Sequence, residues 1–515
     1  MIRLVLQAAP VFSDNMVLQC GKPVPIWGSG DIGSTVRVSW ESGGETVSAA
    51  TVVHGLDWKL FLPPLVPGMS GELVLNDGSD EIRFRNVITG DVWFAGGQSN
   101  MEMEIGNCRN GEAELAACAN GNIRFFHVVK RTVVDEDYFH EEARAKWQVC
   151  APDTASVLSA AAYFFARKIN ADLNIPIGII NCSWGGTSIS TWMSKEQLER
   201  SRAGQRFLDD YAAKVGGKTD AQYNAEMEAY SAEWRAWDER IRSRREKEPD
   251  ISQETLNKEC GPCPWPQPAG NTSPYCPANL YKSRIRRVAP YALKGFLYYQ
   301  GEEDDLRAAD YAEMMYYLVD EWRSAWGDER LPFLFVQLPM YASREEVEAG
   351  IPSKNWCILR ENQYRASLAI ANSGMAVIID CGEYDNIHPL DKQTVGYRLA
   401  LHALKKVYGK NVEADGPVFS WAEAHDGSLR LHFDNAESGL EFRGEAAGFE
   451  IAAAKGPYFP ARAQIDGGCV ILSSDKAARP CRARYAWIKF GPTPLYAKNG
   501  LPAMPFRSCR SESEE

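Results

Sequence analysis

Four short segments carry the residues best suited to chemistry. Gly96-Gly97-Gln98-Ser99-Asn100-Met101 follows the apolar run Val92–Ala95, and Asn181-Cys182-Ser183-Trp184-Gly185-Gly186-Thr187 follows Pro176–Ile180. Gln300-Gly301-Glu302 follows Gly295–Tyr299, and Gly382-Glu383-Tyr384-Asp385-Asn386-Ile387-His388-Pro389 follows Met375–Asp380. A serine on a glycine-rich turn between strand and helix is exposed, and its own N–H can face a developing oxyanion. Ser99 sits on such a turn, although Met101 stands where a G-x-S-x-G elbow has its last glycine. His388 is one of 7 histidines and has an acid, Asp385, shortly before it and Pro389 after it. A carboxylate at that spacing can fold back on the imidazole N–H, fix its tautomer and stabilise the imidazolium. Gln300 offers a side-chain amide that could donate to an oxyanion. Each also has an ordinary structural reading: a turn serine, a structural histidine, a satisfied polar residue at a strand end. The acidic run Glu302-Glu303-Asp304-Asp305 has no histidine beside it. It reads as a turn, a helix N-terminus and a solvated face rather than a metal site, with Glu302 bracing the Gln300 loop.

The elements that must position these residues follow from periodicity. Strand-type runs at Val92–Ala95, Pro176–Ile180, Gly295–Tyr299, Phe333–Leu338 and Met375–Asp380 are interspersed with helical stretches at Ser159–Leu173, Tyr311–Trp326 and Asp391–Tyr408. That rhythm predicts an α/β fold with a mostly parallel sheet. Open parallel sheets bind ligands at the carboxyl ends of their strands, so the four loops are expected to converge on one crevice. Asp391 is placed to cap the last of these helices. Residues 1–90 break into short strands punctuated by Gly, Pro and Asp, as in a small sandwich, and the chain turns β-like again after 408. Residues 196–288 interrupt the rhythm with polar helices and a Pro/Cys/Gly loop, either an inserted subdomain with a solvated face or an element lying over the site. The expected division is therefore an N-terminal β domain over 1–90, an α/β domain over 91–408 with its insertion at 196–288, and a C-terminal β domain over 409–515. Ser511–Glu515 is expected to fray.

Composition narrows the classes. At roughly 150 residues per domain, 515 residues allow two to four domains. Apolar residues are 45% and charged residues 24%, ordinary for a globular chain. No apolar run reaches the length of a membrane-spanning helix. A net charge of −12 disfavours general nucleic-acid or anionic-membrane binding. Aromatic residues are 11%, which suits a large core as well as a carbohydrate surface. The 13 cysteines are odd in number and scattered, unlike a disulfide scaffold. Cys260, Cys263 and Cys276 could be three zinc ligands, but no second half of a zinc site follows, so a local disulfide or free thiols are the other readings. Met1–Pro10 has one Arg and a short apolar stretch, too little for a signal peptide, so a cytoplasmic location is expected unless an export signal was removed.

Together the four loops resemble the SGNH (GDSL-type) hydrolases, and within them the sialate O-acetylesterase family. Gly97-Gln98-Ser99-Asn100-Met101 resembles the nucleophile block, Ser183-Trp184-Gly185-Gly186-Thr187 the second block, Tyr299-Gln300-Gly301-Glu302 the third and Asp385–Pro389 the Asp-His block. Phe12–Gln19 and Ile26-Trp27-Gly28 are similar to the family's N-terminal β segment, so the likeness runs over about residues 10–405. The resemblance implies an SGNH-type three-layer α/β/α domain flanked by β-sandwich-like segments. It implies a serine esterase that removes O-acetyl groups from a carbohydrate, O-acetylated sialic acid first, with no cofactor and no metal. Ser99 would be the nucleophile, His388 the base and Asp385 its acid, with Ser99, Gly185 and Gln300 forming the oxyanion hole. Gly186 is the neighbouring backbone donor. Many relatives carry the acid two residues before the histidine, where this chain has Asn386, so Glu383 and Asp380 stand as alternatives to Asp385. Trp184 and Trp192 could stack on a sugar or belong to the core. The competing readings are an acetyl esterase of plant polysaccharide, acetylxylan-type, and a carbohydrate-binding protein on a dead scaffold.

Overall fold

A single 17-residue strand, β1 (Glu81–Gly97), ties the N-terminal β region to the rest of the molecule. Its first half alternates exposed and half-buried residues and pairs antiparallel with Ser70–Asn76, as a one-sided sheet does. From Val87 onward it is buried on both faces, which is why Val92-Trp93-Phe94-Ala95 is unbroken apolar. The boundary expected at residue 90 thus falls inside a strand. The computed structural model describes residues 4–248, 251–350 and 354–509; Ser511–Glu515 lies outside them.

The fold is mixed α/β with several sheets. After β1 and the short helix α1 (Ser99–Glu102) come β2 (Asn120–His127) and β3 (Gln148–Cys150). They are followed by α2 (Ala160–Leu173), β4 (Ile177–Ser183), β5 (Gly295–Tyr299), α3 (Tyr311–Trp326), β6 (Phe333–Gln337), β7 (Ser373–Val377) and α4 (Lys392–Lys406). The strands lie in the order β3-β2-β4-β1-β5-β6-β7. Neighbours from β2 to β7 pair parallel and β3 pairs antiparallel with β2. The expected strand Met375–Asp380 ends at Val377 and turns into a 3-10 turn at Ile379–Cys381. Asp380 leaves the sheet because its carboxylate is bound by Arg398 of α4 and the Tyr496 hydroxyl.

Helix α2 starts where the Ser159 side chain accepts from Ala162 N, and α4 where Asp391 accepts from Thr394 N. The two helices touch closely at Gly396, where a Cβ would lie 2.6 Å from Ala161 O. On α3, Trp322 packs edge-on against Phe94, with ring centroids 5.2 Å apart. The 196–288 stretch contains helices Arg202–Val215, Asp220–Lys247 and Gln253–Cys260, and the 28-residue helix buries only Tyr223 and Ile241. The C-terminal region forms two antiparallel four-stranded sheets and a strand pair. Its core of Leu431, Ile451, Val470 and Tyr485 is continuous with Met340 and Ile379 of the central part. Cys260, Cys263 and Cys276 form no disulfide and no zinc site among the described residues. Among the described residues no helix is long and apolar enough to cross a membrane.

Candidate active site

Register brings three of the four loops level. Gly97 of β1 is opposite both Ser183 of β4 and Tyr299 of β5. Gln98 N donates to Tyr299 O at 3.0 Å and Trp184 N to Gly97 O at 3.0 Å, so each loop departs from a clamped position. Gly97 has φ +137° and a Cβ there would stand 2.1 Å from Tyr299 O, so only glycine can make this turn. The fourth loop reaches over from β7 and is stitched to the first. Asn100 Nδ2 donates to Ile387 O at 2.9 Å.

Ser99 and His388 meet: His388 Nε2 and Ser99 Oγ are 2.8 Å apart. Burial pushes the imidazole down to about 4, and the nearby Lys392 ammonium adds to this. His388 is therefore neutral at pH 7, and a neutral imidazole can take a proton from a hydroxyl.

Of the other expected partners, Gly185 lies against Ser99, where a Cβ would be 3.4 Å from Ser99 Cβ, while Asp385 and Gln300 hydrogen-bond elsewhere. Asp385 has left-handed backbone, φ 56°, and its carboxylate is turned to the N-terminus of the Arg344–Glu348 helix. There it accepts from Arg344 N at 3.0 Å and Asn257 Nδ2 at 3.2 Å. Glu383 accepts from Asn386 Nδ2 and Leu390 N, bracing the loop, and Asp380 is ion-paired with Arg398. Among the described residues no carboxylate hydrogen-bonds to the His388 ring. Gln300 is 1% exposed, and its amide nitrogen donates to Asp304 Oδ2 at 2.7 Å and Thr187 O at 3.1 Å. Both amide hydrogens are thus engaged in bracing the loop. Gly185 N donates to the Glu102 carboxylate, which also holds Lys130. Its neighbour Gly186 has an N–H that meets no acceptor among the described residues. Trp192 is wholly buried with Nε1 on Thr187 Oγ1, a core residue rather than a sugar platform. Trp184 is half-buried, with Lys130 and Arg284 over its ring.

Several residues passed over in the sequence are central here. Asp304 and Glu302 are buried, not solvated as the acidic run suggested. Asp304 accepts from Ser188 Oγ, Ile189 N and Gln300, joining the second and third blocks. Glu302 Oε1 accepts from Asn100 Nδ2 at 2.5 Å, and Asn100 Oδ1 accepts from the Lys392 ammonium at 2.6 Å. A signal for Lys392 was present: it stands at helical spacing with Val395, Gly396 and Leu399, on the face that α4 buries. Among the described residues there is no group of three His, Cys, Asp or Glu side chains placed to hold a metal ion.

Beside Gly186 opens a cleft of about 870 Å³ that includes Tyr211, Lys214, Trp265, Tyr275 and Glu303. Much of this wall comes from the 196–288 insertion, which therefore both presents polar helices to solvent and reaches the site. Trp265 is 46% exposed and lies on the bare α-carbon of Gly186, where a Cβ would be 2.2 Å from the indole. Burial pushes Glu303 up to about 8, helped by neighbouring Asp304.

Comparison with known proteins matches this arrangement to a family. The sequence model of carbohydrate esterases described as sialic acid-specific acetylesterase matches residues 89–250 and 268–403. The sialate O-acetylesterase of Rattus norvegicus is 30% identical over 461 residues, covering 82% of this chain and 78% of that protein. That of Homo sapiens is 26% identical over 540 residues, covering 97% and 91%. The crystal structure of a carbohydrate acetylesterase from Xanthomonas citri superposes with a TM-score of 0.74 at 30% identity, covering 98% of this chain and 100% of that one. On the extent of these matches, the chain belongs to the sialic acid-specific acetylesterase family of carbohydrate esterases.

Proposed function

We propose that this carbohydrate esterase removes O-acetyl groups from a sugar through an acetyl-enzyme, with Ser99 as nucleophile and His388 as general base. The observation that carries the reading is the 2.8 Å contact between His388 Nε2 and Ser99 Oγ at the strand ends. His388 takes the Ser99 proton as Oγ attacks the acetyl carbonyl. The Ser99 and Gly186 N–H groups hold the tetrahedral oxyanion; the first is unpaired at a helix start. His388 then protonates the departing sugar oxygen as the C–O bond breaks. A water, deprotonated by the same His388, attacks the acetyl-enzyme. Acetate leaves, and the proton returns from His388 to Ser99. The net change is ester plus water to alcohol plus acetic acid. The chain is organised for this as an SGNH-type three-layer α/β/α domain over 91–408, with sandwich-like β domains over 1–90 and 409–515.

The cleft beside Gly186 takes the sugar, with Trp265 as its aromatic wall. The family description and the named relatives favour O-acetylated sialic acid. Charge in the cleft favours a second reading, a neutral acetylated polysaccharide. Asp210, Glu303 and Asp304 face Lys214 and Arg307, and Arg307 is already paired with Asp210. Among the described residues lining the cleft, Lys214 is then the cation left for a sialic acid carboxylate, whereas a protonated Glu303 suits a neutral sugar hydroxyl. The deciding experiment is acetate release by wild type and Ser99→Ala from O-acetylated sialic acid, acetylated xylan and an aryl acetate. Release from one sugar, abolished by the substitution, is expected. Release that survives Ser99→Ala, or none from any substrate, overturns the reading.

Two further outcomes follow from the geometry. Because the base is the neutral imidazole and its protonation is pushed down to about 4, the acid limb of kcat/KM is expected near that pH. A limb at the ordinary histidine value of about 6.5 would mean that the site is open to water in solution. Asp385→Asn keeps an acceptor for Arg344 N and is expected to leave kcat within about twofold, since this carboxylate hydrogen-bonds to Arg344 and Asn257 and not to His388. A loss on the order of 10⁴-fold, as for a true triad acid, would restore Asp385 to the mechanism.

A further inference from the structure

A base that moves a proton must be held against rotation and drift, and among the described residues no carboxylate hydrogen-bonds to the His388 ring. What does flank it is a pair of anchored carbonyls. The carbonyl before His388, that of Ile387, accepts from Asn100 Nδ2 at 2.9 Å. The carbonyl after it, that of Pro389, accepts from the Lys392 ammonium at 2.8 Å. The two anchors are joined, since the same ammonium donates to Asn100 Oδ1 at 2.6 Å. Asn100 in turn donates to Glu302 Oε1 at 2.5 Å, so a buried cation and a buried carboxylate face each other across one amide. Lys392 is wholly buried and Glu302 is 8% exposed. The ammonium also lies 5.4 Å from the Tyr299 ring centroid at the end of β5.

We infer that Lys392 is a positioning residue for the reaction: with Asn100 it clamps the backbone on both sides of His388 and so does the orienting work that an acid does in a triad. Burying an ammonium is costly, and it persists only when its partners are in place. Asn100 is fixed at the start of α1, directly after Ser99. The clamp therefore ties the base to the nucleophile's own helix, and the pair is set as one unit. The positive charge has a second effect, because it opposes a second positive charge on the imidazole. Lys392 is itself faced by Glu302, Cys381, Glu383 and Cys108, and burial pushes it down to about 8. Lys392 is charged throughout the acid range in which His388 would take up a proton, so its charge helps keep the imidazole free to accept one.

This inference rests on His388 being the base, and the test separates the two. The full chain is assayed on an aryl acetate from pH 4 to 9 as wild type, Lys392→Met, Lys392→Gln, Lys392→Arg and His388→Ala. Active sites are counted with a serine-directed phosphonate. Lys392→Met is expected to lower kcat about 10- to 100-fold, part of what a general base contributes, with KM little changed. Its acid limb should move to higher pH. Lys392→Gln keeps donors for Pro389 O and Asn100 without the charge, so it should show the same limb movement with a smaller loss of kcat. Lys392→Arg should leave the limb in place. If Lys392→Met does not fold, Lys392→Gln decides. An unmoved limb with kcat per titrated site within twofold of wild type, in either neutral variant, overturns the inference. Full activity in His388→Ala would instead overturn the assignment of the base.

Discussion

Ser99→Ala is expected to lose about 10⁴-fold or more in kcat while leaving the fold intact, by analogy with the loss of other serine nucleophiles. Two effects of one hydroxyl separate here. In the resting structure Ser99 Oγ has one hydrogen-bond partner, His388 Nε2, so its removal costs stability about 0.5–1.5 kcal/mol. In the proposed reaction the same oxygen forms the acyl bond, and among the described residues no other hydroxyl hydrogen-bonds to the His388 ring. The residual rate would come from the oxyanion donors and the cleft. Steady-state kinetics beside a thermal melt reads both effects. Intact-mass measurement during turnover should show an acetyl group on wild type and none on the variant. A variant with turnover within tenfold of wild type would move the nucleophile elsewhere.

The largest expected effect on stability lies at Arg398, which does no chemistry. Its side chain is 7% exposed and that of Asp380 16%, and the guanidinium holds both carboxylate oxygens as well as Val377 O. Asp380 also accepts from Tyr496 Oη at 3.1 Å, so this one carboxylate joins α4, the end of β7 and the C-terminal β region. Arg398→Met leaves that carboxylate buried without its cation, a loss of about 3–5 kcal/mol. Burial alone pushes the Asp380 carboxyl up, but Arg398 outweighs it and holds the group below the ordinary carboxylate range. The folded value is the lower one. The pair therefore stabilises fully above the unfolded value of about 3.9, and its contribution is lost as pH falls through the folded one. Urea midpoints of the two proteins at pH 7 test the prediction. A difference below about 1 kcal/mol, the value of an exposed pair, would show that water reaches it.

The four loops were legible because strand-to-helix changes of periodicity and glycine punctuation are local signals. Ser99 and His388, each open to an ordinary structural reading when taken alone, were singled out by the likeness of the four ordered blocks to a family. Three other expected site residues have further contacts in the structure. Asp385, Gln300 and Gly185 were chosen by spacing or likeness, yet each has a hydrogen-bonding group that a distant residue claims first. Arg344 and Asn257 take the Asp385 carboxylate, Asp304 and Thr187 take the Gln300 amide, and Glu102 takes the Gly185 N–H. Glu302 and Asp304 were taken for a solvated acidic run because composition says nothing about which side of a turn is covered.

Periodicity was enough to specify five of the seven strands of the central sheet and the loops that follow four of them, but not the strands Asn120–His127 and Gln148–Cys150, since backbone preference and hydrophobic spacing act over a few residues. Packing alone decided which polar groups are left over to react. A buried donor or acceptor must find a partner, and that partner can lie a hundred or more residues away, as Lys392 does from Asn100 and Asp304 from Ser188. Only when the chain has closed those bonds does it become apparent that, among the described residues, no carboxylate hydrogen-bonds to the His388 ring, that Asn100 and Lys392 bind the carbonyls on either side of it, and that the Gly186 N–H meets no acceptor beside the cleft.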